Sequence, residues 1–189
     1  RVTARLPERF LRVVVSNTGM PIGGGVATKP FKFWASVVSQ QMPDWGEMMA
    51  GAVSGRKLTD YEKKVYNAPY PDESYKPATR IYPQLVPQTD EHMSVEENKG
   101  AWRRVFSRFT KPLITIFGKH DNVSTGGEKI WIANCPGAKG QKHKIIDAGH
   151  FVQEDAPELM CELLIEFVND NPVEGKKISS FGVTSKKIN

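Results

Sequence analysis

Hydrophobic residues along this chain form two kinds of pattern. Three short apolar runs, at 11–15, 112–117 and 143–147, contain β-branched residues and end at turn-forming residues, so they predict buried β-strands. The last two runs are each followed by a segment in which apolar residues recur at helical spacing. Strands that alternate with helices in this way indicate a parallel sheet, so we predict an α/β fold.

The segment from 20 to 109 has a different character. It contains no strand-like run, and its short helical pieces are separated by Pro and Gly. One helix is predicted at 31–41. Two Ser/Thr-x-x-Glu patterns, at 59–62 and 94–97, are capping boxes that predict the starts of two more helices. We interpret the whole segment as a helical insertion in the α/β core and call it the cap segment.

The remaining helix signals lie in the last third of the chain. Thr125 and Glu128 form a third capping-box pattern, ahead of a helix at 129–133. The final helix is expected to start near Asp155, with Pro157 in its first turn. Its packing stripe, which is predicted to face the core, consists of Leu159, Leu163 and Phe167.

These patterns divide the chain into four segments. Residues 1–19 contain a helix end and the first strand, and residues 110–171 contain the other two strands with their helices. Residues 20–109 form the cap segment, and residues 172–189 form a flexible basic tail that is rich in Gly, Ser and Lys. Three strands are few for a parallel sheet, so we interpret them as the last three strands of a longer one.

Composition narrows the classes of function. The chain is 39% hydrophobic and 25% charged, as in an ordinary globular protein, and much of its net charge of +5 lies in the tail. We expect no nucleic-acid partner and no membrane span, because no basic stripe is interleaved with aromatics and no apolar run reaches roughly 18 residues. Cys135, Cys161 and the four histidines show neither disulfide nor zinc spacing, so we expect reduced thiols, a cytoplasmic protein and no metal.

Two loops carry residues suited to acid–base chemistry. Residues 147–155 read Asp-Ala-Gly-His-Phe-Val-Gln-Glu-Asp, which places His150 on a glycine-marked loop between the last strand and the final helix. Asp121 follows the preceding strand, and the carboxyl ends of parallel strands meet at one edge of a sheet. A carboxylate bound to one imidazole nitrogen orients the ring and leaves the other nitrogen to accept a proton.

Each of these residues has a structural alternative. A lone loop histidine is more often a core or capping residue, but the strand–Gly–His–helix context favours a base at His150. Asp121 has the form of a common turn or N-cap carboxylate, and its neighbour His120 is a rival for the same role. Asp147 is also close to His150 in the chain, but we interpret it as a turn-forming residue and not as the acid.

The same loops belong to a wider resemblance. The blocks that carry it are residues 7–10, 13–19, 31–34, 66–75, 136–138 and 147–154. The Ala-Pro-Tyr-Pro-Asp sequence at 68–72 and the histidine block at 147–154 are its most specific parts. Over about residues 1–170, the chain resembles haloalkane dehalogenases of the α/β-hydrolase superfamily. The resemblance implies the C-terminal part of an α/β-hydrolase fold, with its last three parallel strands and an inserted helical cap.

The resemblance also implies roles for individual residues. His150 matches the base that activates water, and Asp121 matches the acid after the seventh strand. A subfamily with its acid after the sixth strand would carry Glu near Asn17. In the cap segment, the resemblance implies that Trp34 binds the halide through its indole N–H. It also implies that Phe31, Phe33 and Val38 line an apolar cavity. Without the resemblance, Trp34 would be interpreted as a packing residue.

The implied reaction is the hydrolysis of a carbon–halogen bond in a small halogenated alkane. An Asp carboxylate displaces the halide ion and forms an alkyl-enzyme ester, which a water activated by His150 then hydrolyses without any cofactor. The nucleophile, its adjacent Trp and the oxyanion-hole loop would precede Arg1. The chain alone is therefore expected to be inactive, and to need the missing N-terminal part or a partner chain that covers its sheet edge.

The residues leave two other functions open. Another α/β-hydrolase, such as an esterase or an epoxide hydrolase, would use the same scaffold, and the latter would need cap tyrosines as acids; the candidates are Tyr66, Tyr70, Tyr75 and Tyr82. A catalytically inactive, hydrolase-like subunit would instead have a structural role, with a partner strand paired against 11–15.

Overall fold

A small parallel sheet forms the centre of the structure. The computed structural model describes residues 1–24, 27–40 and 44–173. In these ranges the strands are β1 (Val13–Ser16), β2 (Leu113–Gly118) and β3 (Lys144–Ile146), which pair in parallel in the order β1-β2-β3. Val13 lies opposite Leu113, and Ile116 lies opposite Lys144. The predicted α/β fold with parallel strands is confirmed.

The first strand begins two residues later than the apolar run that predicts it. Val13 donates its N–H to the carbonyl of Pro112 at 2.9 Å, and the paired register starts at Leu113. Pro112 has no N–H to donate, so the ladder cannot extend back toward Leu11. Leu11 is accordingly exposed, although it is as apolar as the paired residues.

Helices surround the sheet and fill the segment between β1 and β2. The helices are α1 (Val2–Arg5), α2 (Lys29–Gln40), α3 (Trp45–Ala52), α4 (Asp60–Asn67), α5 (Pro77–Ile81), α6 (Val95–Arg104), α7 (Gly127–Asn134), α8 (Val152–Asp155) and α9 (Pro157–Asp170). Helices α2 to α6 follow one another without an intervening strand in the described ranges. Residue 41 and most of the predicted tail, 174–189, lie outside these ranges. The four-segment division itself stays a prediction.

Of the three predicted capping boxes, the one at α4 is present. The Thr59 N–H donates to Glu62 Oε2 at 2.7 Å, and the Glu62 N–H donates to Thr59 Oγ1 at 3.2 Å. Both bonds satisfy N–H groups that the first turn of a helix leaves without partners. Helix α4 therefore starts where its local sequence predicts.

The other two box patterns mark helix starts without forming the box. Ser94 precedes α6 in a helical conformation (φ −85°, ψ −9°) rather than an extended one, and its N–H donates to His92 Nδ1 at 3.1 Å. Ahead of α7, Gly126 occupies the cap position in the left-handed region (φ 80°). A capping side chain typically needs an extended backbone, which Ser94 lacks, and the cap position of α7 is a glycine without a side chain. The two predicted boxes were therefore wrong.

The central strand β2 divides the core into two clusters. Leu113 and Phe117 face a cluster of aromatic side chains from the segment before β2 and from α7, whereas Ile114 and Ile116 face α9. Alternation along a strand produces this division. The aromatic cluster includes the rings of Trp102 and Phe106, whose centroids lie 5.5 Å apart, and Trp131, 4.6 Å from the Trp102 ring.

The packing stripe of α9 differs from the prediction at one position. Leu163 and Phe167 are buried against β2 and β3, as predicted, but Leu159 is 40% exposed. Met160 and Leu164 pack against the cluster instead. A helix covers about 100° per residue, so the buried face includes 160, 163, 164 and 167 and excludes 159.

None of the helices in the described ranges has both the length and the apolar character that crossing a membrane requires.

Candidate functional site

Two loops meet at the carboxyl end of the sheet. The loop after β2 carries Asp121, and the loop after β3 carries His150. Their backbones are joined directly, because the Lys119 N–H donates to the Ile146 carbonyl at 2.8 Å and the His120 N–H donates to the Ala148 carbonyl at 2.9 Å. The pairing of β2 with β3 thus continues past the strand ends and brings the two loops side by side.

The side chains of His150 and Asp121 are in hydrogen-bond contact. His150 Nδ1 lies 3.0 Å from Asp121 Oδ1. The Asp121 side chain is 1% exposed, whereas that of His150 is 31% exposed. In the described part of the chain no protein group is bonded to His150 Nε2. The ring is therefore held on one side by a buried acid and can meet a ligand or water on the other.

The environment of Asp121 stabilises its ionised form. Oδ1 accepts the Val123 N–H at 2.8 Å and the Ser124 N–H at 3.2 Å, and the Ser124 hydroxyl donates to Oδ2. Burial acts to raise the pKa of Asp121, but the hydrogen bonds from His150, Ser124 and Val123 outweigh it and lower the pKa to about 2. An ionised carboxylate only accepts, so His150 Nδ1 carries the proton between them.

Asn17 connects the ends of all three strands. Its Oδ1 accepts the Gly118 N–H at 2.8 Å, and its Nδ2 donates to the carbonyls of Gly149 and His150 at 2.8 Å and 2.6 Å. The residue is buried and has a positive φ of 40°, which Asn tolerates better than most residues. The sequence identified Asn17 as part of the turn that ends the first strand and as a position without Glu, and neither observation predicts these three hydrogen bonds.

Two glycines of this junction lie very close to atoms of neighbouring loops. A Cβ on Gly118 would lie 2.2 Å from the Gly149 carbonyl oxygen, and one on Gly149 would lie 2.5 Å from Ser54 Oγ in the cap segment. Contacts shorter than 3.0 Å essentially never occur for a real Cβ atom. The reason for a glycine before His150 is therefore the close approach of another loop, which the sequence alone does not reveal.

The neighbouring candidates His120 and Asp147 pair with each other. His120 Nε2 lies 2.7 Å from Asp147 Oδ1, and the two side chains are 53% and 88% exposed. Consecutive residues at the end of β2 thus take different partners, with His120 directed to solvent and Asp121 directed to His150. The structure contains a partly buried His–Asp contact and, beside it, a solvent-exposed one.

The candidate substrate-binding residues lie on α2. Phe31 and Trp34 contact each other, with ring centroids 5.6 Å apart and an angle of 60° between the planes. Phe33 is 70% exposed and Val38 is fully buried, so they do not share one surface. Helix α2 begins beside the acid loop, since Thr28 Oγ1 donates to the Val123 carbonyl at 3.5 Å. The predicted roles of these four residues stay predictions.

No cluster of metal ligands accompanies the site in the part of the chain that the structure describes. Within those ranges, no three His, Cys, Asp or Glu side chains lie close enough together to hold a metal ion. The chemistry available from the described residues is that of an oriented imidazole next to a buried carboxylate, which suits proton abstraction from water or a similar group.

Comparison with known proteins identifies relatives of this chain. No family model matches the chain. A haloalkane dehalogenase from Psychrobacter cryohalolentis is 42% identical over 176 residues, covering 91% of this chain and 57% of that enzyme. Another, from Mycobacterium marinum, is 34% identical over 169 residues, covering 88% and 56%. The chain is similar to haloalkane dehalogenases. The resemblance inferred from the sequence is thus confirmed, and the chain spans little more than half the length of these curated relatives.

Solved structures agree on the fold. Haloalkane dehalogenase DpaA from Paraglaciecola agarilytica NO2 matches 88% of this chain and 56% of that chain, with a TM-score of 0.71 and 24% identity. At that identity the likeness shows the fold alone. The three parallel strands and their helices therefore have the arrangement found in haloalkane dehalogenases of the α/β-hydrolase fold.

Proposed function

We propose that the protein to which this chain belongs hydrolyses carbon–halogen bonds in small halogenated alkanes. The observation that carries the proposal is the 3.0 Å contact between His150 Nδ1 and the buried Asp121 carboxylate, in a chain that is 42% identical to a haloalkane dehalogenase. A carboxylate oxygen attacks the halogen-bearing carbon, the carbon–halogen bond breaks, and the halide ion leaves with the bonding electrons.

In the second step His150 acts as the base. Its Nε2 accepts a proton from water, and the resulting hydroxide attacks the carbonyl carbon of the alkyl-enzyme ester. The alcohol departs, the carboxylate is regenerated, and the net reaction consumes one water and yields alcohol, halide and a proton. Asp121 stabilises the imidazolium through Nδ1, and its low pKa keeps it ionised throughout.

The remaining roles follow the resemblance. We assign the indole N–H of Trp34 to the halide and the side chains of Phe31, Phe33 and Val38 to an apolar pocket wall. We assign the nucleophile to a segment N-terminal to Arg1, or to a partner chain that pairs with β1, since the relatives are almost twice as long as the aligned part. Cys135 and Cys161 are both unpaired thiols, which supports a reducing compartment such as the cytoplasm.

The cap tyrosines do not favour an epoxide hydrolase. Tyr66 donates its hydroxyl to Glu154, and Tyr70 packs against Trp45 with ring centroids 5.6 Å apart. Tyr75 and Tyr82 are each 59% exposed. An acid for epoxide opening needs a hydroxyl directed at the reacting oxygen, whereas the Tyr66 hydroxyl already donates its hydrogen bond to Glu154.

The test measures halide release by the longest natural form of the protein that contains this chain. We expect release from short bromoalkanes, and we expect His150→Gln to stop after one equivalent and to accumulate the alkyl ester, visible as added mass on the protein. The matched control is His120→Gln, which removes the other His–Asp contact and leaves turnover intact. Halide release at the normal rate in His150→Gln would eliminate the assigned base; hydrolysis of esters or epoxides without halide release would replace the proposed function.

A further inference from the structure

The loop that joins α3 to α4 contacts the residues around His150 through one carboxylate. Asp155, at the end of α8, accepts the N–H groups of Ser54 and Gly55 on Oδ1 at 2.8 Å and 2.7 Å. Its Oδ2 accepts the Ser54 hydroxyl at 2.8 Å and the Gly149 N–H at 2.6 Å. Both oxygens of this side chain thus bind the cap segment, and Oδ2 also binds the residue before His150.

The Gly149 peptide is consequently held from two sides. Asn17 Nδ2 donates to its carbonyl at 2.8 Å from the core side, and Asp155 accepts its N–H from the cap side. Ser54 approaches so closely that a Cβ on Gly149 would lie 2.5 Å from the serine hydroxyl. A shift of the 54–55 loop therefore changes the bonds that hold the residue next to His150.

A second carboxylate strengthens the same connection. Glu154 accepts the hydroxyl of Tyr66 on α4 and bonds Arg56 Nη2 at 2.8 Å, and Arg56 also contacts Glu62 at 2.8 Å. Burial, followed by the bond to Glu154, raises the pKa of Tyr66 to about 12, so the phenol keeps its proton in this contact at neutral pH. Residues 54–66 are thereby bound to the turn that follows His150.

We propose that Asp155 is a positioning residue through which the cap segment sets the place of the His150 ring relative to Asp121. The carboxylate is hydrogen-bonded to the N–H of Gly149, the residue before His150, and not to the ring. Because both of its oxygens are occupied, it cannot follow the cap loop without loosening its bond to Gly149. This role does not depend on the reaction that His150 performs, so failure of the dehalogenase assay leaves it standing.

The test compares Asp155→Asn with Asp44→Asn in the longest natural form of the protein. Asp44 is a matched control, because it caps α3 by accepting the Glu47 N–H at 2.9 Å and bonds Asn67, yet has no contact with the His150 loop. In Asp155→Asn an NH₂ group replaces one acceptor oxygen. We expect the Gly149 amide to exchange with solvent about tenfold faster or more, and the low-field proton resonance between His150 Nδ1 and Asp121 to shift or broaden.

Three outcomes decide the proposal. Changes in both signals in Asp155→Asn, with neither in Asp44→Asn, support it. Faster exchange at Gly149 with an unchanged His150 resonance would show that Asp155 only stabilises the loop, and would overturn it. Should Asp155→Asn fail to fold, Ser54→Ala removes one donor and keeps both backbone N–H groups; the same His150 resonance must then shift by a smaller amount, and its constancy would also overturn the proposal.

Discussion

His150 and Asp121 lie 29 residues apart in the chain, and their side chains meet at 3.0 Å. The contact depends on the parallel pairing of β2 with β3, which continues as backbone bonds from Lys119 and His120 to the opposite loop. Asn17 adds the end of β1 to the same junction. Three strand ends thus determine one imidazole–carboxylate geometry.

Replacing the acid by its amide should test whether the Asp121 carboxylate supports His150. In the longest natural form, Asp121→Asn is expected to reduce halide release by a factor on the order of 10³–10⁴, because an amide cannot stabilise the imidazolium and favours the wrong tautomer. The rate of halide release under saturating bromoalkane is the measurement. Asp147→Asn, which alters the neighbouring exposed contact, should leave the rate within about twofold of the unmodified protein. Equal losses in both variants would contradict the assignment.

Asn17 is expected to matter through both its side chain and its backbone. Asn17→Ala leaves the Gly118 N–H and the Gly149 and His150 carbonyls without this partner and places Ala at φ 40°, so we expect a loss of roughly 2–4 kcal/mol in the free energy of unfolding. Asn17→Gly removes the same bonds without backbone strain and should be less destabilised, by about 1 kcal/mol. Urea unfolding measures both. A glycine variant as stable as the original would show that the bonds contribute nothing.

The low pKa of Asp121 should appear as acid sensitivity. Its folded pKa of about 2 lies below the ordinary 3.8, so the contribution to stability is present above pH 3.8 and is lost as the pH falls toward 2. The difference corresponds to about 2–3 kcal/mol for this nearly inaccessible side chain. Urea unfolding from pH 6 down to pH 2.5 should therefore show a shallower decline in Asp121→Asn than in the original. Asp147→Asn should retain the original decline, and identical slopes for all three proteins would refute the shift.

Helix α9 offers an internally matched test of the core. Leu163→Ala should lower the free energy of unfolding by roughly 2–4 kcal/mol, because the Leu163 side chain is buried where α9 packs on the sheet. Leu159→Ala, the same substitution one turn earlier, should cost less than about 1 kcal/mol, because Leu159 is 40% exposed. Denaturant midpoints of the two variants provide the comparison. Similar losses would mean that another part of the protein covers Leu159.

Short-range patterns anticipated part of this structure. The apolar run of β2 and the capping box of Thr59 depend on neighbours within a few residues, so their local sequence was sufficient. The boxes at Ser94 and Thr125 failed, because the backbone conformation at each cap position is set by contacts and turns that a four-residue pattern does not contain.

The sequence by itself determined the alternation of strands and helices, the likeness to haloalkane dehalogenases and the two loops on which His150 and Asp121 lie. The sequence also named Asp121 as the acid through that likeness, with His120 as a rival, but it did not indicate that Asn17 and Asp155 bind the carbonyl and the N–H of Gly149. These contacts join residues as distant as Asn17 and Gly149, 132 positions apart. Only the tertiary structure could decide them, because strand register and the approach of the cap segment, rather than local propensity, bring those atoms together.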